Sequence, residues 1–158
     1  MKIRQVTLNN RRRVFEVYTR RGTYCFPYAK TEVKPSPADK IVELYVDKEL
    51  GREAFTYVLE SGAEGTVHVD YVLEYNRDPD FMKNLLLYKL TLEAQDRVER
   101  SPLSKRELIR RLGTSAAQFY RLLDQTNYRK SMSQLLSLLH ILDCDVEFVV
   151  KDRPRKSA

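Results

Sequence analysis

The chain has 158 residues, a formal net charge of +6 and 42% hydrophobic residues, a composition typical of a soluble globular protein. No run approaches the roughly 18 apolar residues that a membrane-spanning helix needs, which excludes an integral helical membrane protein. The N-terminal MKIRQVTLNN lacks the apolar stretch of a secretion signal and there are only two cysteines, Cys25 and Cys144, so we expect a cytoplasmic protein without a disulfide framework.

The first half of the chain contains short runs rich in β-branched and aromatic residues. RVFEVYTR and GTYCFPYAK are joined by Arg21 and Gly22, a turn signal, and predict a β-hairpin. Three further runs, IVELYVD, AFTYVLES and TVHVDYVLEY, are separated by residues 48–51 and 62–65. About five strands in so short a span predict a small antiparallel sheet or partial barrel.

An enzyme in this half is the first alternative. His68 and Asp70 are two residues apart on a predicted strand and would share a face, but alternating charged residues on a solvent-facing strand give the same pattern. No phosphate-binding loop, nucleophile elbow or metal-ligand spacing accompanies them. We therefore predict no catalytic residues, no cofactor and no metal.

A single-stranded nucleic-acid platform built from the many tyrosines of this half is the second alternative. Aromatic enrichment is ordinary in strands, however, and residues 1–82 carry 13 basic and 13 acidic side chains. A core or an interface is the favoured role of these tyrosines.

A long helix is predicted after the strands. Asp78 can cap its N-terminus and Pro79 suits its first position. Apolar residues continue at helical spacing toward Ser101: Phe81, Leu85, Tyr88 and Leu92.

Two short helices separated by one glycine are predicted next. Ser104 and Glu107 form a capping box, in which each group bonds a backbone amide near the start of the first helix. Its inward stripe consists of Leu108, Ile109 and Leu112. Gly113 ends this helix because glycine accepts the positive φ that a helix C-terminus requires.

The second short helix begins at Thr114 or Ser115, with Gln118 closing another capping box from Ser115. Phe119 and Leu122 then point inward. Two short helices meeting at a glycine turn have the spacing of a helix-turn-helix, so double-stranded DNA is the first partner to consider.

These residues, followed by the apolar helix SQLLSLLHIL, resemble the helix-turn-helix of the phage repressor and Cro type over roughly Phe81 to Val150. In bacteria that family includes many small regulators and the antitoxins of toxin–antitoxin pairs. The resemblance implies a sequence-specific transcriptional regulator that binds DNA as a homodimer, with a toxin as a candidate partner. The first half is similar, in overall pattern only, to small β-rich domains of unassigned function found beside such motifs.

The resemblance also assigns roles to individual positions. Lys105 is implied to contact a phosphate or to brace the second short helix, which is the recognition helix of this family. The implied base contacts are Ser115, Ala116, Ala117, Tyr120 and Arg121. Ser104 and Gln118 join Lys105 as implied backbone contacts. Alanine offers only apolar contact to a thymine methyl, so Arg121 is the one long donor expected to read a base edge.

Charge agrees with this assignment. Residues 83–158 carry 15 basic and 9 acidic side chains, so the whole net charge lies in the half with the motif, where a polyanion is attracted. A polar, basic loop follows the recognition helix and is expected to contact the DNA backbone: Thr126, Asn127, Tyr128, Arg129 and Lys130.

The predicted class is α+β with three segments. They are a β-rich dimerisation or partner domain at residues 1–78, a helix-turn-helix DNA-binding domain at 79–150 and a basic tail at 151–158. Two other interpretations of the motif stay open: an ordinary helical hairpin with solvated arginines, and a protein-interaction module that uses the helix-turn-helix as scaffold. His140 and Cys144 are interpreted as structural residues because no ligand cluster surrounds them.

Overall fold

The computed structural model describes residues 1–154, and the chain forms two compact units, Met1–Met82 and Lys83–Ala158. The first contains strands β1 (Ile3–Asn9), β2 (Val14–Thr19), β3 (Thr23–Pro27), β4 (Ile41–Asp47), β5 (Ala54–Leu59) and β6 (Glu64–His68), then helix α1 (Val69–Asn76). The remaining helices are α2 (Pro79–Arg100), α3 (Lys105–Leu112), α4 (Ala116–Leu123) and α5 (Met132–Ile141). The predicted α+β class is confirmed. Half of the predicted basic tail, residues 155–158, lies outside the described residues.

The strands form two three-stranded antiparallel sheets, ordered β1-β2-β3 and β4-β5-β6. The predicted hairpin of β2 and β3 is confirmed, with the Thr19 amide donating to the Gly22 carbonyl at 2.9 Å across the turn. The sequence did not predict β1. Its apolar residues Ile3, Val6 and Leu8 do not follow a strict alternation, because the register shifts between Ile3 and Gln5.

Aromatic rings fill the core of the first unit. The Phe15 ring lies 4.7 Å from that of Tyr28, 4.8 Å from that of Phe55 and 5.2 Å from that of Tyr57, measured between centroids. Gly65 on β6 leaves room for Tyr57, because a Cβ at this position would overlap the phenol ring. Tyr28 and Tyr57 therefore belong to the core, whereas Tyr45 and Tyr71, for which the sequence favoured a core or an interface, are exposed.

The run TVHVDYVLEY was predicted to be one strand, and this is wrong after His68. His68 Nδ1 accepts a hydrogen bond from the Asp70 amide at 3.3 Å and caps α1. The buried residues of α1 are Val69, Val72 and Leu73, at helical spacing. Val67 and Val69 alternate across the cap and hide this change of period in the sequence. His68 and Asp70 therefore do not share a strand, although His68 Nδ1 lies 3.6 Å from an Asp70 carboxylate oxygen across the cap.

Asp78 occupies the predicted cap of α2. Its carboxylate accepts from the Phe81 amide at 3.1 Å and the Tyr24 hydroxyl at 2.9 Å, and Arg21 lies 3.3 Å away. Burial raises the pKa of Asp78, but the two hydrogen bonds and the Arg21 charge outweigh that effect and hold the pKa below its usual value. The cap is therefore a charged group fixed by the first unit.

The face that α2 buries differs from the predicted one. Its buried residues are Leu87, Thr91, Ala94 and Val98. Leu85 and Tyr88, two members of the predicted stripe, are half-buried and Leu92 is exposed. The buried face of α2 joins a core that includes Leu108, Phe119, Leu122, Leu135, Leu138 and Leu139.

None of the helices within residues 1–154 combines the length and apolar character needed to cross a bilayer.

Candidate nucleic-acid interface

The first motif helix, α3, begins and ends where the sequence predicts. The Ser104 hydroxyl accepts from the Glu107 amide at 3.2 Å, and Gly113 adopts a left-handed conformation with φ of +68°. The predicted return bond from the Glu107 side chain to Ser104 is wrong. That carboxylate instead accepts from Arg110 at 2.9 and 2.6 Å and from Arg111 at 2.9 Å.

Hydrogen bonds from Arg110 and Arg111 lower the pKa of Glu107 to about 2. The carboxylate thus stays ionised at neutral pH and neutralises part of the α3 surface. Lys105 and Arg106, on the first turn of α3, are exposed and their side chains have no ion pair or hydrogen bond with any described residue. These two positive charges stay available to a polyanion.

The predicted recognition helix, α4, is anchored by two buried side chains. Its N-cap is Ser115, whose hydroxyl accepts from the Gln118 amide at 3.2 Å. Phe119 and Leu122 are buried, as predicted, and Leu123 is half-buried, whereas Ala116, Ala117, Gln118, Tyr120 and Arg121 are exposed. The predicted DNA-facing residues at its exposed side are Ser115, Ala116, Ala117, Gln118, Tyr120 and Arg121.

Arg121 and Tyr120 are the long side chains of this exposed surface that match a DNA-reading role. Tyr120 is 54% exposed, and its ring packs edge-on against buried Phe119 at 5.7 Å. The Arg121 guanidinium makes no ion pair or hydrogen bond within residues 1–154. Its donors are thus free, as a bidentate contact to a base or a phosphate requires.

A cavity of about 320 Å³ lies between the C-terminal end of α4, the following loop and the start of α5. The polar residues around it include Gln118, Arg121, Asn127, Arg129, Ser131 and Gln134. No Asp or Glu lines it. A concave surface with guanidinium, amide and hydroxyl donors and no carboxylate suits phosphate oxygens.

The loop after α4 is shaped by its own polar side chains. Asp124 Oδ1 accepts from the Thr126 amide at 2.9 Å and the Thr126 hydroxyl at 2.8 Å, and these bonds lower the pKa of Asp124. Asn127 donates from Nδ2 to the Arg121 carbonyl at 3.3 Å and accepts from the Arg129 amide at 3.0 Å. Tyr128 and Arg129 are exposed, and their side chains have no such polar partner in the described chain.

Lys130 differs from the other predicted backbone contacts because its ammonium group turns inward. Its acceptors are the Thr91 hydroxyl and the carbonyls of Leu122 and Asp124. Sequence analysis did not identify Thr91, or Gln95 one turn later, as part of the site. No signal in the sequence pointed to Thr91, because the face of α2 that was predicted to be buried does not include this residue.

The described residues include no group of His, Cys, Asp and Glu that could hold a metal ion. His140 is exposed, and Cys144 is half-buried with a free thiol. The predicted DNA-contacting residues supply hydrogen-bond donors, positive charge and exposed aromatic surface.

Comparison with known proteins agrees with this geometry. No curated protein and no solved structure matches the chain. A domain-family model does match part of the chain, and the members of that family are typically non-enzymatic. Residues 98–148, from the end of α2 through α5, match the family model of the Cro/C1-type HTH DNA-binding domain, and this match lies in the C-terminal half of the chain.

Proposed function

We propose that the protein is a transcriptional regulator that binds double-stranded DNA sequence-specifically, with α4 in the major groove. The observation that carries this proposal is the surface of α4. Phe119 and Leu122 fix the helix in the core, while the unpaired guanidinium of Arg121 projects from the exposed side. In helix-turn-helix proteins this second helix is the one that enters the groove.

Within this proposal, different side chains of α4 contact different chemical groups of the bases. Arg121 donates to a guanine edge, and Ala116 and Ala117 contact thymine methyl groups. Ser115, exposed at the leading end of α4, and Tyr120 complete the base-contacting set. Ser115 retains its hydroxyl proton as a donor even though its oxygen caps the helix.

Backbone contacts fix the position of α4 without reading sequence. We assign them to Ser104 and Lys105 at the start of α3, to Gln118, and to the loop from Thr126 to Arg129. Arg129 and Gln118 border the carboxylate-free cavity, which supports a phosphate in that place. Arg106, exposed next to Lys105, adds positive charge to the same turn of α3.

Dimer formation is part of the proposal. One short recognition helix covers few base pairs, and two-fold dimers of such proteins read half-sites about 34 Å apart. We assign the contact between two copies to the first unit, the β-rich dimerisation domain. Apolar side chains exposed on and beside its strand β4 support this assignment: Val42, Tyr45 and Leu50.

An antitoxin role is a narrower form of the proposal, suggested by the resemblance to a family that includes antitoxins. It requires a toxin as partner. Co-expression with the product of a neighbouring gene tests it: the antitoxin form predicts a stable complex and loss of toxicity. Absence of any complex would remove this narrower form and leave the DNA-binding proposal intact.

Selection of binding sites from a random duplex library by the full-length protein tests the main proposal. We expect one enriched sequence of two related half-sites, with guanine N7 protected from methylation in the major groove. Recovery of unenriched sequence, or no duplex binding even at low salt, would contradict it. That outcome would favour the interaction-module interpretation, which predicts little duplex binding.

A further inference from the structure

The Lys130 ammonium group uses its whole hydrogen-bonding capacity inside the domain. Nζ donates to Thr91 Oγ1 at 2.8 Å, to the Leu122 carbonyl at 2.9 Å and to the Asp124 carbonyl at 2.5 Å. An ammonium group has three N–H donors, so none is left for a further acceptor. A phosphate could be bound only by breaking one of these bonds.

The positions of the three acceptors indicate a structural role for Lys130. Leu122 and Asp124 belong to the C-terminal end of α4, where helix carbonyls lose their intrahelical partners. The intervening carbonyl of Leu123 accepts from Gln95 Nε2 at 2.6 Å. Side chains from outside α4 therefore satisfy three consecutive carbonyls at the end of the recognition helix.

The other end of this arrangement is α2. Thr91 is fully buried and donates its own hydroxyl proton to the Leu87 carbonyl at 2.6 Å, which leaves its oxygen to accept from Lys130. Gln95 lies one turn further along α2. Gln95 therefore connects α2 to a carbonyl of α4 directly, and Thr91 does so through Lys130. The positive charge of Lys130 lies at the C-terminus of α4, where the helix dipole favours a cation.

We propose that Lys130 is a positioning residue for base recognition, which fixes the C-terminal end of α4 to α2, and that it does not contact a DNA phosphate. This inference rests on the proposed DNA-binding function. It reassigns one residue of the basic loop and adds Thr91 and Gln95 to the residues that set the orientation of α4. Burial lowers the pKa of Lys130, as expected for an ammonium group withdrawn from water.

Arg129 supplies a matched comparison. It is adjacent in sequence and carries the same charge, but it is exposed, lines the cavity beside α4 and has no polar side-chain partner in the described chain. Substitution of either residue by methionine removes one positive charge and keeps a long apolar stem. Only Lys130→Met removes the hydrogen bonds that connect the end of α4 to Thr91 of α2.

The test measures dissociation constants of full-length protein for the selected duplex and a scrambled duplex, over a range of salt concentrations. For Lys130→Met we expect about a tenfold loss on the selected duplex, little change on the scrambled one and an unchanged salt slope. For Arg129→Met we expect equal losses on both duplexes and a salt slope smaller by about 0.9. Circular dichroism and urea unfolding show whether each variant is folded under the assay conditions.

Thr91→Val is the second variant, because it keeps the Lys130 charge and removes one buried acceptor. We expect the same pattern, a lower specificity ratio at unchanged salt slope, so the test survives even if Lys130→Met does not fold. A smaller salt slope for Lys130→Met with equal losses on both duplexes would overturn the inference and make Lys130 a phosphate contact. Folded variants of lower stability but unchanged specificity ratio would also overturn it. If the unsubstituted protein bound no duplex, the proposed function itself would fail.

Discussion

Glu107 holds Arg110 in a two-point ion pair, with Arg110 Nε 2.9 Å from Oε2 and Nη2 2.6 Å from Oε1 of the carboxylate. Arg111 Nε shares Oε1 at 2.9 Å. One carboxylate thereby engages two of the four basic side chains of α3. The unpaired charge of α3 is consequently confined to Lys105 and Arg106 at its first turn, beside the N-cap Ser104.

The ion pair predicts a specific pH dependence of stability. The folded-state pKa of Glu107 is about 2 against 4.5 for an unperturbed group, so its stabilising contribution is complete above pH 4.5 and disappears as pH falls toward 2. Glu107→Gln should be less stable than the unsubstituted protein at neutral pH, and the difference should vanish near pH 2. Urea unfolding over that pH range measures it.

Glu99→Gln is the control, since Glu99 is exposed on α2 and has no ion pair among the described residues. Its effect should not depend on pH in this way. A difference for Glu107→Gln that stayed constant or grew on acidification would show that the carboxylate does not hold the two arginines in solution.

The turn between α3 and α4 depends on the conformation of Gly113. Its φ of +68° is unfavourable for residues with a Cβ, although no atom lies within 4 Å of where a Cβ would stand. Gly113→Ala should therefore lower the free energy of unfolding by about 1–2 kcal/mol through the backbone alone. Gly113→Asn should cost less, because asparagine tolerates this conformation. Equal stability of Gly113→Ala and the unsubstituted protein would mean that the turn relaxes.

The start of α2 offers a matched pair of carboxylates. Asp78 and Asp80 both contact Arg21, at 3.3 and 2.8 Å, but Asp78 is buried and also caps the helix, whereas Asp80 is exposed. Asp78→Ala should cost about 1–3 kcal/mol of unfolding free energy, because it removes a cap and leaves the Tyr24 hydroxyl without its partner. Asp80→Ala should cost less than about 1 kcal/mol, as for an exposed ion pair. Denaturant unfolding of both variants measures these losses. Equal losses of unfolding free energy would refute the assigned role of Asp78.

Self-association can be tested on the proposed dimer surface. Sedimentation equilibrium at tens of micromolar should show a dimer, and Val42→Lys should shift it toward monomer because Val42 is 62% exposed on β4. Leu86→Lys, at an exposed apolar position of α2, is the control and should leave the dimer intact. A monomer with and without duplex DNA would contradict the dimer proposal.

The sequence predicted best those features that depend on neighbouring residues. Ser104, Gly113 and Ser115 act within a few residues of themselves, so the bounds of α3 and α4 follow from local rules. The change from strand to helix after His68 was missed because the alternating Val67 and Val69 continue the strand pattern. The helical spacing shows only when Val72 and Leu73 are considered together with Val69.

Long-range pairing explains the rest of what was missed. The bond from Lys130 to Thr91 joins residues 39 positions apart, and a basic residue in a basic loop gives no sign of turning inward. The Glu107 side chain had two competing partners in sequence, the Ser104 amide and the arginines one turn later. Charge-assisted bonds to guanidinium groups are the stronger, and they prevail.

The central claim, that α4 reads base edges through Arg121, is tested most directly by the binding of Arg121→Ala to the selected and scrambled duplexes. Arg106→Ala serves as the control, because it removes an exposed, unpaired charge from α3. We predict that Arg121→Ala weakens binding to the selected duplex by about 1–3 kcal/mol more than to the scrambled one, whereas Arg106→Ala weakens both equally. Equal losses on both duplexes for Arg121→Ala, with specificity retained, would contradict the claim and make Arg121 a phosphate contact.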